Sequence, residues 1–150
     1  MKKNVIFFLS LVSILSFAQS NKEKIGLFKM GSKIDLKSNQ KIFEIDSLIL
    51  ENNLILVKGS KIKLGNPVEP TKYNSVFIDK FSKSSFAKMN IGMWSAFPLV
   101  YKNSDFFVDE ILLINYKGKQ TPVINFRKEK LNGFTYPELS ITNGEIIILK

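Results

Sequence analysis

Beyond its first eighteen residues the chain alternates short apolar runs with turn-forming residues, and nowhere does it sustain a helical period for three turns. The strictest alternation is Lys61-Ile62-Lys63-Leu64, which places both lysines in water and Ile62 and Leu64 inward on a strand. Before it, Ile42 to Asp46 and Leu48 to Glu51 are extended candidates. Asn52-Asn53 then tolerates positive φ ahead of the apolar run Leu54 to Val57, which predicts a hairpin. Gly65-Asn66-Pro67 ends the Lys61 strand as a turn. Tyr73 to Phe81 is a third strand region, and Ser82 to Asn90, with no sustained period, is expected to be a loop. Phe106 to Tyr116 gives the strongest strand signal. Phe106, Val108, Leu112, Ile114 and Tyr116 fall on one face around Glu110, with Phe107, Ile111 and Leu113 on the other, so the strand should be central. Tyr116-Lys117-Gly118-Lys119 turns into Val123 to Arg127, where Pro122 predicts an edge position or a strand start. Asn132-Gly133 has the composition of a turn. Pro137 to Gly144 fits a short helical turn with Pro at its start and Gly at its end, and Ile146 to Leu149 is a last β-branched strand.

This pattern predicts a mainly β protein, either a small SH3-like β-barrel or a partly open barrel, with an N-terminal extension and one short helical turn near the C-terminus. Residues 19–53 form the extension, with hairpin strands and a lysine-rich lead-in from Lys22 to Gln40 that holds a short strand at Gly26 to Met30. Residues 54–150 form the barrel domain. From Leu54 onward the order of strand, glycine turn, several strands, helical turn and final strand resembles an SH3-like barrel. Val57 to Pro67, the Val76-Phe77-Ile78 strand and the closing Ile141-Thr142-Asn143-Gly144-Glu145-Ile146 are similar to small exported bacterial proteins of uncharacterised function. Those motifs are structural punctuation and imply no catalytic residue.

The first eighteen residues change the picture of where this domain works. Lys2-Lys3, the apolar run Val5 to Phe17 and the small residues Ser16 and Ala18 have the layout of a secretory signal peptide, with cleavage expected before Gln19. The apolar stretch is short of the roughly 20 residues that a helix needs to cross a bilayer, and no later segment is long enough. Export to the periplasm or the cell exterior follows as the expectation. The chain has no cysteine, so this exported domain must be held by packing and backbone pairing, without disulfides.

Charge adds a candidate partner. Of 22 basic residues, removing Lys2 and Lys3 leaves 20 against 13 acidic ones in the mature chain, a net +7. Such a balance attracts anionic partners, here an anionic cell-envelope polymer or another envelope protein. Nearly all of the charge is lysine, as an AT-rich genome also produces. With Arg127 the only arginine, a specific nucleic-acid reader is not expected.

The candidate chemistry is narrow. With no histidine and no cysteine, the Ser-His-Asp arrangement, imidazole bases, thiol nucleophiles and thiolate metal sites are excluded, and no cofactor or metal is expected. Ser85-Phe86-Ala87-Lys88 and Ser38-Asn39-Gln40-Lys41 both match S-x-x-K, and two matches in so short a chain mark the pattern as chance. Asp105, Asp109 and Glu110 are the one acidic cluster. On a regular strand Asp109 and Glu110 point to opposite faces and cannot converge on one atom, and Glu110 needs a partner such as a nearby lysine. No phosphate-binding glycine loop occurs. Gly92 to Tyr101 holds the only tryptophan and follows a lysine-bearing loop. Lys83, Lys88, Trp94, Phe97 and Tyr101 are therefore the candidate binding residues, joining charge to flat rings, while the aromatic three also suit a core. The expected function is a non-catalytic binding or structural module of the bacterial cell envelope. The alternatives are an inhibitor or immunity-type protein against a secreted enzyme and a small carboxylate-based hydrolase.

Overall fold

A computed structural model of the chain describes residues 24–36, 41–89 and 92–150, less the side chains of residues 86 and 87. The signal-peptide layout, both ends of the lead-in and most of the Ser38 motif lie outside the described residues.

The described chain is mainly β. Nine strands run in the order β1 (Lys24–Lys29), β2 (Ile42–Ile49), β3 (Ile55–Val57), β4 (Lys61–Leu64), β5 (Val76–Ile78), β6 (Asp105–Tyr116), β7 (Lys119–Lys128), β8 (Leu131–Thr135) and β9 (Ile146–Ile148). Two short helices, α1 (Ser85–Met89) and α2 (Pro137–Thr142), and a 3₁₀ turn at Leu99–Tyr101 complete them. The main sheet order is β1-β2-β6-β7-β8-β5, with β3 beside β2, and β4 between β6 and β9. The sheet does not close into a barrel. Among the described residues no helix is long and apolar enough to cross a membrane.

Turn chemistry explains the hairpins. Asn53, at φ 60°, lets β2 fold back onto β3, so that Leu48 faces Leu56. Lys117 and Gly118, at φ 50° and 77°, form the two-residue loop between β6 and β7. The predicted strand at Gly26 to Met30 is β1, which pairs in parallel with β2. The segment expected to extend from the domain thus adds two strands to the same sheet and buries Phe28, Phe43 and Ile45 in its core. Pro137 opens α2 and Gly144, at φ 73°, follows it, as the Pro and Gly positions predict.

The inner face carries the larger core: Leu48, Leu56, Ile62, Leu64, Phe97, Phe106, Ile111, Ile124, Phe126 and Ile146 among others, each 2 % exposed or less. The outer face carries a smaller cluster of Ile42, Phe81, Leu112, Ile114, Val123 and Phe134. As expected, β6 is central, bonded to β2 and β4 on one side and β7 on the other. Its face assignment differs from the unbroken alternation. The register shifts between Val108 and Glu110, so Asp109 is an extra, bulged residue. The bulge inverts the parity: Phe106, Val108, Ile111 and Leu113 share the inner core, while Leu112 and Ile114 lie on the outer face and Phe107 is half-exposed.

Two further expectations are corrected, and the edge position expected of Pro122 holds locally. Residues 82–90 are not all loop: Ser85–Met89 forms a helical turn, started by Ser82 N–H donating to Ser85 Oγ at 2.8 Å, and five residues are too few to show a period. Asn132-Gly133 lies within β8 instead of turning, and the turn is at Glu129, φ 53°. Gly133 is required there because a Cβ would sit 2.4 Å from the Phe126 ring and 2.6 Å from that of Phe97. Pro122 is inside β7, opposite Leu113, but β8 pairs with β7 only from Ile124 onward, so its missing N–H breaks no ladder on that side.

Candidate functional site

Residues 79–89 and 92–95 lie over the outer face of β6, β7 and β8, and one polar network clamps the start of the first stretch. Asn125, buried on β7, accepts from Phe81 N–H at 2.8 Å and donates to Phe81 C=O at 3.1 Å, as a neighbouring strand would. The same amide donates to Glu110 Oε2 at 3.2 Å. Lys80 Nζ meets Asp109 Oδ2 at 3.0 Å and Glu110 Oε2 at 3.2 Å, and Arg127 Nε meets Asp109 Oδ1 at 3.2 Å. The expectation that Asp109 and Glu110 cannot converge is overturned by the bulge, which turns both toward one ammonium. The lysine partner expected for Glu110 is Lys80. The hydrogen bond from Lys80 is the main reason the Asp109 carboxyl titrates below its ordinary range. Burial would lower the Lys80 pKa, but the two carboxylates outweigh it and hold it raised. Asp105, in the same way, is lowered chiefly by Lys61, 2.7 Å away.

Further along, Ser95 C=O accepts from Ile78 N–H and Phe97 N–H donates to Val76 C=O, so this stretch lines the free edge of β5. Trp94 is thereby pressed onto the outer cluster, its ring 4.9 Å from Phe134, 5.9 Å from Phe81 and 6.3 Å from Phe77.

The five residues expected to bind a partner do not form one surface. Phe97 is 1 % exposed and packs against Phe106 and Phe126, so its ring is closed to solvent. Tyr101 is half-buried beside it. Trp94 is half-buried and shares with exposed Lys88 a polar hollow of about 90 Å³, bordered by Asp79, Ser82 and Ser85. Exposed Lys83 lines a different hollow, with Lys80, Ile42 and Leu112.

Three features escape the sequence. The first is Glu145, fully buried just before β9. Its Oε1 accepts from Val68 N–H at 3.2 Å and Asn74 N–H at 2.8 Å. Its Oε2 accepts from Ser75 N–H at 2.8 Å and from the Ser75 hydroxyl. Burial raises the pKa of such a group, yet these four bonds together hold it below the usual carboxylate value. With its acceptors filled, Glu145 anchors the 65–75 loop and is not free to move a proton. Gly65 completes that anchor: its N–H donates to Glu145 C=O at 2.9 Å, and a Cβ on it would lie 2.0 Å from the Gly144 carbonyl oxygen.

The second is an apolar hollow of about 410 Å³ on the outer face, lined by Ile114, Tyr116, Tyr136 and Leu139, with Lys119 on its border. Burial raises the Tyr136 pKa, which keeps its hydroxyl neutral as a donor. The third is Phe107, 50 % exposed on the outer face of β6. It stands directly opposite Lys61 on β4 and Arg127 on β7. Lys58, Lys128, Asp109 and Glu129 join Phe107 and Arg127 around a hollow of about 400 Å³. The signal for it was present: Phe107 is an aromatic between two charged strands, but unbroken alternation assigns it to a buried face.

Among the described residues, no group of three or more carboxylate, histidine or cysteine side chains is placed to hold a metal ion. No protein-family model matches the chain, and no curated protein or solved structure matches it either.

Proposed function

We propose that the protein is an exported, non-catalytic binding module of the bacterial cell envelope that meets its partner through the outer face of its sheet. The observation that carries this reading is the contrast in how outer-face groups are used. The acids that could do proton chemistry are held by the chain's own lysines, with Asp109 and Glu110 on Lys80 and Asp105 on Lys61. Aromatic and apolar side chains on the same face stand at the surface: Phe107 is 50 % exposed and Leu139 55 %. A general acid or base needs a carboxyl group free to exchange a proton with its substrate, whereas binding needs accessible apolar and charged groups. The signal-peptide layout supports the envelope as the location. The element order from β3 onward supports an SH3-like relationship.

Retention of the purified protein on washed envelope fractions, compared with cytosolic fractions, tests this reading. Saturable retention by envelope alone is expected. Equal retention by both fractions, or by neither, would overturn it.

A further inference from the structure

We infer that the outer-face corner where β4, β6 and β7 meet docks an anionic sugar polymer, with Phe107 as its stacking platform and Lys58, Arg127 and Lys128 as its cationic frame. The inference rests on the binding-module reading and names the class of partner. Cross-strand register places Lys61, Phe107 and Arg127 in one row, so a ring with its outer side in water is flanked by a basic side chain on each neighbouring strand, Lys61 being paired with Asp105 at 2.7 Å. Side chains directly opposite on a sheet lie within about 5.5 Å at Cβ, which fixes charge and ring as one surface. Within the hollow beside Phe107, Lys58, Arg127 and Lys128 outnumber Asp109 and Glu129. Lys58, Lys61, Arg127 and Lys128 are all exposed.

The chain's single arginine stands here. Its contact with Asp109 is through Nε at 3.2 Å, and a guanidinium carries five donors, so one ion pair does not exhaust its grip on a carboxylate or sulfate.

The shape of the corner favours a sugar polymer over other anions. A pyranose offers an apolar C–H face to a ring that has no polar handle, and its acidic substituents then meet the flanking cations. Protein interfaces are depleted of charge at their centres, whereas this ring is bordered by charge on both strands. Single-stranded nucleic acid is held by several rings that stack successive bases along a groove, and this corner presents one.

Binding isotherms of the purified protein with polygalacturonate, dextran sulfate, neutral dextran and a single-stranded oligonucleotide, at low and high salt, test the inference. The carboxylated and sulfated polymers identify which anion the corner prefers. Wild type should bind one of them, ignore neutral dextran and weaken with salt, since exposed charges are screened over about 8 Å at physiological ionic strength. Phe107→Ala should weaken binding about fivefold or more at both salts, the loss of one stacking contact. Phe107→Tyr should keep it, which separates lost stacking from a folding defect. Arg127→Gln with Lys128→Gln should lose affinity mainly at low salt. Lys83→Gln with Lys88→Gln removes the same charge elsewhere and should stay within about twofold of wild type. The inference fails if that control pair loses as much as the corner pair, if Phe107→Ala binds normally, or if the oligonucleotide binds tightest. Envelope retention without binding to either charged polymer would overturn this partner class and leave the module reading intact. Loss of both would overturn the two together.

Discussion

Glu145→Gln offers the sharpest check on how the fold is held, because it changes one atom in a site whose partners are all known. Each carboxylate oxygen accepts two donors: Val68 and Asn74 N–H on Oε1, Ser75 N–H and hydroxyl on Oε2. The amide nitrogen fits best at the Oε2 position, where the Ser75 hydroxyl can turn to accept from it, so the Ser75 N–H alone is left facing an NH₂ group in a fully buried site. A hydrogen bond to a charged group contributes about 1.5–3 kcal/mol; one is lost and the other three now end on a neutral amide. Removing the buried charge recovers part of its desolvation penalty, so the net cost should be about 1–3 kcal/mol. For a chain of this size that lowers Tm by about 3–10 °C.

The sign of the pH dependence follows from the lowered carboxyl pKa. A group whose folded pKa is depressed contributes its full stability above the unfolded value, here 4.5, and loses it as pH falls through the folded value. Protonated Glu145 has the same donor conflict as glutamine, so the gap between wild type and variant should shrink as the pH is lowered from neutrality into that range. Urea denaturation across the acid range measures both effects. A variant within about 0.5 kcal/mol of wild type at neutral pH, or a gap that does not change with pH, would refute the anchoring role of Glu145.

Other changes probe the core and the address. Leu112→Ala, at a buried position on the outer face of β6, should cost about 2–5 kcal/mol in chemical denaturation, while exposed Lys61→Ala should stay within about 0.5 kcal/mol. Gly133→Ala should destabilise by about 1–3 kcal/mol, since its Cβ must displace the Phe126 and Phe97 rings, and a neutral result by thermal melting would mean that β8 is misplaced. Mass spectrometry of natively produced protein should find Gln19 at the amino terminus, whereas intact Met1 on the bulk of the protein would refute export.

How much of this was legible in the sequence depended on the range of the interaction. Period-two alternation is local, so Lys61 to Leu64 and the centrality of β6 could be read from the chain, as could the Asn53 and Lys117-Gly118 turns, where backbone preference decides. The Asp109 bulge could not, because an extra residue in one strand is defined only against its partner, and a single-residue slip moves every later side chain to the other face. That slip separated Phe107 from Ile111 and Leu113, which share its face under unbroken alternation, and brought Asp109 and Glu110 together on Lys80. Gly133 has turn composition but is kept in β8 by rings from β7 and the 97 region, a tertiary requirement no local rule contains. Glu145 meets its partners across about 70 residues of chain, and a lone acid near the C-terminus carries no sign of that. Trp94 and Phe97 were legible as large rings, but whether a ring faces a core or a partner is set by what packs over it.

The most direct test of the outer-face account is amide chemical-shift mapping of the ¹⁵N-labelled protein while the anionic polymer it binds best is added. The account predicts shifts concentrated at residues 58–63, 105–109 and 127–129, reduced in Phe107→Ala. Shifts centred on Tyr116, Tyr136 and Leu139, or spread evenly over the lysines, would contradict it.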